Sequence, residues 1–350
     1  MKSFILKYKW WFSFVCCALL VACEPATTSD QNPISFGAGR KNSAYNSNLS
    51  NDNTNAYLWG YRNYTENNTN TTTETIFDGV EARLYDVSTE NNSIYDDIEI
   101  QDDAKYWNIG TYNFFSVSPK LANASITTDK TTLIITDFDI STQTDVIAAV
   151  PNAITVEGLE YKTPVQLNYT HLLSKIKFQA QTTQNTCTLT HFSITIHKTA
   201  TYTHTTGSKE NPTTGEWGAK TDKCTLEITP NVEITTTLQT LDLDGADGKN
   251  DNGWLIFPGT VIADNETTAD VNEGIAYSIT YTVGNNVQNQ TGTLPPLTNG
   301  GLANNSYIYT LKIQPSGPII FGNTVTVEPW DKNDTSNDQN LDFDTTQNNN

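Results

Sequence analysis

The sequence predicts an all-β chain of sandwich or barrel type in two parts, and three observations carry that expectation. Apolar and polar residues alternate with period two, sustained helical spacing is missing, and many short apolar runs are punctuated by Asn, Gly, Asp and Pro. Tyr277, Ile279, Tyr281 and Val283 alternate with Ser278, Thr280 and Thr282, giving one apolar and one hydroxylated face. Ile176, Phe178 and Ala180 alternate with Lys175, Lys177 and Gln179, and Phe192, Ile194 and Ile196 with His191, Ser193, Thr195 and His197. Residues 226–228, 232–234, 307–313 and 325–327 read as further strands, and no strand-helix-strand rhythm suggests a parallel sheet.

Ahead of the strands, Lys2, Lys7 and Lys9 followed by an apolar stretch over residues 10–20 read as a signal peptide. That stretch is too short to cross a bilayer as a mature helix. Leu20-Val21-Ala22-Cys23 follows and looks like a bacterial lipobox, in which Cys23 is acylated and becomes the new N-terminus. Each buried CH₂ contributes about 0.8 kcal/mol, so two or three acyl chains would hold the protein to the outer membrane. Residues 1–22 are therefore read as a lipoprotein leader, and 23–55 as a linker holding one short apolar strand at Pro33-Ile34-Ser35-Phe36. A first β-sandwich domain is expected over 56–163, with an Asn/Thr-rich loop at 67–75. Lys162-Thr163-Pro164 marks a junction to a second domain over 164–330, and the polar, acidic residues 331–350 read as a disordered tail. No short internal repeat is apparent.

Composition narrows the function classes. The formal charge is −19, and −22 once the three leader lysines are removed, so nucleic acid and anionic lipid are poor partners. Cys16 and Cys17 leave with the leader and Cys23 carries lipid, which leaves Cys187 and Cys224. A disulfide between them is permitted outside the cytoplasm. Two isolated thiols are the alternative, with Cys224 on the apolar face of a strand beside Leu226 and Ile228.

Catalytic motifs are missing. Gly37-Ala38-Gly39 starts like a phosphate loop, but Asn42 stands where a dinucleotide fingerprint needs its third glycine. No Gly-x-Ser-x-Gly, Walker, His-Glu-x-x-His or Cys-x-x-Cys pattern occurs, so neither enzymatic chemistry nor a cofactor is expected. His191 and His197 share a polar strand face with no carboxylate or cysteine to complete a metal set; His171 reads as a hydrogen-bonded strand residue, and nothing specifies His204. Asp242, Asp244, Asp247 and Asp251 offer spaced oxygens and turn glycines, as a calcium loop would. Ala246 breaks the EF-hand register and no Glu stands at the twelfth position, so an ordinary hairpin loop is the preferred reading. Trp59, Trp107 and Trp217 lie beside glycine or polar residues and fit either sugar stacking or core anchoring.

Several segments in order resemble the fimbrillin family of type V pilins and related surface lipoproteins of Bacteroidota. Tyr106-Trp107-Asn108-Ile109-Gly110-Thr111-Tyr112-Asn113-Phe114-Phe115-Ser116-Val117-Ser118-Pro119 is similar to that family's Tyr-Trp, Gly, Tyr-x-Phe segment, and Asp145-Val146-Ile147-Ala148-Ala149 to its Asp-Leu-Leu-x-Ala strand. The stretch from Val165 through His171, Ser174 and Lys175 to Phe178 resembles its Leu-x-Phe-x-His-x-Leu-Ser-Lys-Ile strand. Trp254-Leu255-Ile256-Phe257-Pro258, Asn305-Ser306-Tyr307-Ile308-Tyr309, Ile319-Ile320-Phe321 and Val325-Thr326-Val327-Glu328-Pro329-Trp330 look like its later strands. Two departures are visible: Gly259 replaces a frequent Gln, and Leu302 and Ala303 stand where a tryptophan is common.

The resemblance implies two tandem transthyretin-like, Greek-key β-sandwiches and a structural or accessory fimbrial subunit supporting adhesion. It also implies a cut after a basic residue near the N-terminus, release of the lipidated first strand, and filling of the groove by a strand from another subunit. Arg40-Lys41 is the expected cut, because these are the first basic residues after Cys23 and follow a Gly37-Ala38-Gly39 approach. An uncut tether is the alternative. Partners would then be other fimbrial subunits by β-strand addition, the outer membrane through lipid, and host or bacterial surface ligands. A monomeric surface lipoprotein that binds glycan or a host ligand is the competing function.

Overall fold

The computed structural model describes residues 32–39, 55–66, 70–84, 95–183, 186–243, 253–259, 274–297, 301–314, 319–321 and 325–329. Cys23, Arg40, Lys41, Asp244, Asp247 and Asp251 lie outside them. The strands start with β1 (Phe36–Gly39), β2 (Asn55–Glu66), β3 (Asn70–Leu84), β4 (Tyr95–Ile100) and β5 (Gly110–Ser118). Shorter strands follow: β6 (Ala124–Ile126), β7 (Thr132–Asp139), β8 (Ile147–Ala149), β9 (Ile154–Val156), β10 (Val165–Gln166) and β11 (Thr170–His171). Then come β12 (Ser174–Thr182), β13 (Cys187–Thr205), β14 (Glu216–Ile228), β15 (Val232–Ile234), β16 (Gln239–Thr240) and β17 (Trp254–Ile256). The last are β18 (Ala276–Val283), β19 (Asn286–Thr293), β20 (Asn305–Ile313), β21 (Ile320–Phe321) and β22 (Thr326–Pro329). Among the described residues the one helical element is the 3-10 turn Ile140–Thr142, and no helix is long and apolar enough to cross a membrane.

The fold is all-β, as period-two alternation requires, and its sheets pack face to face. The first sheet runs β10-β1-β4-β3-β2-β5-β8-β11, with β9 also on β5. Its two end strands, β10 and β11, are separated in the chain by residues 167–169 alone, so the sheet rolls round on itself. Inside the roll lie Phe36, Leu58, Phe77, Trp107, Tyr112, Phe114 and Val165. β5 is buried on both faces: Tyr112 and Phe114 point into the roll, while Phe115 and Val117 face a second core.

That second core is shared by the other two sheets. One runs β16-β12-β20-β21, with β17 on β12 and β22 on β20; the other runs β19-β18-β13-β7-β6, with β14 and β15 on β13. Phe178 of β12 meets Phe192 of β13 edge-on at 4.7 Å between ring centroids, and Trp254 of β17 stacks on Phe192 at 5.6 Å. Such pairs add about 0.5–1.5 kcal/mol beyond area burial.

Three features differ from the sequence expectation. Residues 70–75, expected as loop, continue β3 in a long hairpin with β2, from Asn55↔Arg83 to Glu66↔Asn70. The run of threonines there is β-favouring, which outweighs its polarity. Lys175 and Lys177, expected on a solvated face, are 5% and 4% exposed. β12 pairs with β17 and β20, and Gly253 comes so close that a Cβ there would lie 2.5 Å from Lys175 Cγ. Finally, sheet membership crosses Lys162-Thr163-Pro164 in both directions: β10 and β11 complete the first sheet, whereas β7 pairs with β13 from Asp139↔Thr199 to Thr132↔Thr205. The 19-residue length of β13 allows this, since one half pairs with β18 and the other reaches β7.

Candidate functional site

The strand that the sequence singles out at Ile34 and Phe36 lies inside the first sheet, not at its edge. β1 runs parallel to β10, with Phe36 opposite Val165 and Gly37 opposite Gln166. On its other side it runs antiparallel to β4, with Gly37 opposite Asp97 and Gly39 opposite Tyr95. The Val165 N–H donates to the Ser35 carbonyl and the Leu167 N–H to the Gly37 carbonyl, both at 2.9 Å. Upstream, Ile34 N–H donates to Lys105 O at 2.8 Å, Trp107 N–H donates to Asn32 O at 2.9 Å, and Pro33 bridges to Tyr106.

The side chains lock the strand as firmly as the backbone does. Ile34 and Phe36 are 9% and 7% exposed, whereas Ser35 between them is exposed, as period two requires. The Phe36 ring meets Phe77 at 5.7 Å and Phe114 at 5.4 Å, both edge-on. Burying these two side chains contributes about 1.5–3 kcal/mol each. Gly37 fits because a Cβ there would stand 3.3 Å from the Gln166 side-chain nitrogen. Beneath Phe77 and Phe114 sits Gly60, where a Cβ would come within 2.9 Å of both rings, so only glycine lets them stand where Phe36 meets them.

The other residues named from sequence do not gather into a site. Cys187 and Cys224 are free. Cys187 pairs with Ile234 at the start of β13, while Cys224 pairs with Ile196 well along the same strand. At about 3.3 Å per residue they lie far beyond the Cα separation a disulfide spans, so the chain forms no bridge between them. Burial pushes the Cys187 thiol up to about 11 and raises that of Cys224. Among the described residues no group of three or more His, Cys, Asp or Glu could hold a metal, and Asp242 is exposed.

His171 is 3% exposed and its Nδ1 lies 2.7 Å from Asp145 Oδ2, which ties β11 to the start of β8. His191 does meet a carboxylate, Glu227 Oε2 at 3.4 Å, supplied by the neighbouring β14 and so invisible in the strand's own spacing. Trp59 and Trp107 are buried, and Trp217 is half-buried against Phe138, Tyr202 and Phe257 with its Nε1 donating to Leu172 O at 2.7 Å. All three are core anchors rather than sugar platforms.

With this geometry in place, the chain compares with known proteins as follows. A family model described as fimbrillin-like matches residues 43–330. The chain belongs to that family. Among solved structures it is similar to a candidate cell adhesion protein of Bacteroides uniformis, at 13% identity over 85% of this chain and 98% of that one, with a TM-score of 0.48. A candidate cell adhesion protein of Bacteroides ovatus gives 13% identity, 86% and 98% coverage and 0.47. The tip fimbrial protein Mfa3 of Porphyromonas gingivalis, with C-terminal truncation, gives 11% identity, 86% and 100% coverage and 0.42. No curated protein matches the chain.

Proposed function

We propose that the chain is a subunit of cell-surface fimbriae, held at the outer membrane through lipid on Cys23 until a cut at Arg40-Lys41 frees β1. A strand of another subunit then takes the place of β1. The observation that carries this reading is the position of β1 between β10 and β4, sealing the apolar interior of the rolled sheet. β1 ends at Gly39, and Arg40 is the next residue. A cut there leaves β1 covalently joined only to the segment that carries Cys23.

Loss of β1 would leave the facing edges of β10 and β4 unpaired and the rings of Phe77 and Phe114 uncovered. Unpaired strand edges beside an apolar groove are what β-strand addition satisfies. Head-to-tail addition does not close on itself, so it extends into a filament. The role is therefore structural rather than catalytic. The competing glycan-binding reading loses support, since the tryptophans that suggested it belong to the cores.

The arginine content favours a selective cut. Only Arg40, Arg62 and Arg83 occur in the chain; Arg62 lies within β2, paired to Glu74 at 2.9 Å, and Arg83 lies within β3. Backbone held in a sheet resists proteases. N-terminal sequencing of protein sheared from cells tests the proposal. A start at Lys41 is expected, and material carrying only an acylated Cys23 N-terminus would overturn it.

A further inference from the structure

Residues 274–311 hold no Asp, Glu, Lys or Arg, although such residues make up 17% of the chain. That stretch includes the β18–β19 hairpin, so β19 is an uncharged strand on a chain of net charge −19. We propose that β19 of one copy pairs antiparallel with β19 of a second copy and joins their sheets edge to edge. The pairing needs neither the cut at Arg40 nor the loss of β1.

β19 stands at the end of its sheet and, among the described residues, pairs with β18 alone. Its register runs from Val283↔Asn286 to Ala276↔Thr293 without a shift, and Val287 on it is 60% exposed. Other edges of the molecule are guarded. β14 carries Glu216, Lys220, Asp222, Lys223 and Glu227, and its backbone turns left-handed at Asp222, with φ 51°. β3 meets β4 only over residues 82–84; along the preceding residues it carries Glu74 and Asp78 and shifts register twice against β2. β6, β16 and β21 are three, two and two residues long. Charge, bulges and shortness keep sheet edges from pairing, and β19 has none of them.

The hairpin also determines which backbone groups are free. Gly284 and Asn285 form a two-residue turn, with Gly284 at φ 58°, so the flanking Val283 and Asn286 exchange backbone bonds. Alternation then turns the N–H and C=O groups of Val287, Asn289, Thr291 and Thr293 away from β18. The Leu294 N–H donates to Ile275 O at 2.8 Å, which keeps that alternation to the end of the hairpin. The strand is ordered before it pairs: Gln290 Nε2 donates to the Tyr281 hydroxyl at 3.0 Å, and Gln290 Oε1 accepts from Ile319 N–H at 2.6 Å.

A second β19 satisfies all four outward residues when Asn289 faces Thr291, and Val287 faces Thr293, of the other copy. Such a pair is two-fold symmetric and closes at two chains. A second copy is the occupant that the charge favours, because two strongly acidic chains meet at this edge with no like charges opposed. The Asn, Gln and Thr side chains of β19 both donate and accept, so the strand complements itself. Backbone bonds between two single strands hold weakly, so the pair is expected at micromolar concentrations and not on a denaturing gel.

Sedimentation velocity of the detergent-purified, uncut full chain over a concentration series tests the proposal. A monomer–dimer equilibrium is expected. Thr291→Pro removes one outward N–H from each copy and leaves the bonds to β18 in place, whereas Thr291→Glu sets two carboxylates near each other across the pair. Each should weaken dimerisation at least about tenfold. Ala219→Lys on the guarded β14 should leave it unchanged. For the register, Val287→Cys chains mixed with Thr293→Cys chains should give more dimer with a short thiol crosslinker than either variant alone, relative to the parent chain. A chain that stays monomeric throughout the series would overturn the inference, as would a dimer that both Thr291 variants leave intact or that Ala219→Lys weakens equally. Crosslinking no greater in the mixture than in its components would overturn it too.

Discussion

Phe36 and Phe321 stand in frames that differ at one position, Pro33-Ile34-Ser35-Phe36-Gly37 and Pro318-Ile319-Ile320-Phe321-Gly322, yet one lies between two strands and the other at the rim of a sheet. Alternation alone fixes which side chains of each segment face inward. How firmly each segment is held depends on what stands to either side, and that is a property of the sheet. β1 has neighbours on both edges and two aromatic rings against Phe36, whereas among the described residues β21 pairs with β20 at two positions, with Phe321 against Tyr277 and the adjoining Ile319 N–H donating to Gln290 Oε1.

The largest expected effect separates the two phenylalanines directly. Phe36→Ala in the uncut chain should lower stability by about 3–5 kcal/mol, because the ring is buried and its cavity cannot collapse between paired strands. Phe321→Ala should lower it by about 1–2 kcal/mol, since that ring is only half-buried at a rim. Urea denaturation of both variants reads the difference; equal losses would break the comparison.

A second change acts on the β1 side alone. Gly60→Ala places a methyl group against Phe77 and Phe114, and overpacking of that kind costs about 1–3 kcal/mol. Because those rings flank Phe36, the variant should also release its leader segment faster after the cut, as followed by mass spectrometry. Leader release at the parent rate would show that the two rings do not govern the hold on β1.

The smallest effect lies in the second core, away from both segments. Burial holds the Cys187 thiol neutral up to about 11 from an ordinary 9.0. A raised acid contributes stability that is complete below the unfolded value and is lost as pH climbs through the folded one. Stability should therefore fall between pH 9 and 11 by on the order of 1–2 kcal/mol from this group, and Cys187→Ala should flatten that part of the pH profile. Thiol titration of the denatured, unreduced mature protein should find both Cys187 and Cys224 free.

Much of this was legible in the chain. Ile34 and Phe36 announce β1, and the strands around residues 192–196, 277–283 and 307–313 follow from alternation. The pairing of β7 with β13 was not legible, because period two gives a strand's faces and says nothing of its neighbours. Nor was the burial of Lys175 and Lys177, which depends on Gly253 and β17 arriving from far along the chain. The recurrence of Pro-Ile-x-Phe-Gly escaped for another reason. Repeats betray themselves by a period, and two short matches near opposite ends of a chain have none. They become conspicuous only when the sheet shows which residues point inward.

Assembly of the cut chain tests the central claim most directly. Full-length protein is treated with an arginine-specific protease and run unboiled on a denaturing gel, beside untreated protein. A ladder of oligomers should form only after cutting. A ladder from uncut protein, or a cut chain that stays monomeric, would contradict a removable β1 replaced by a strand of another subunit.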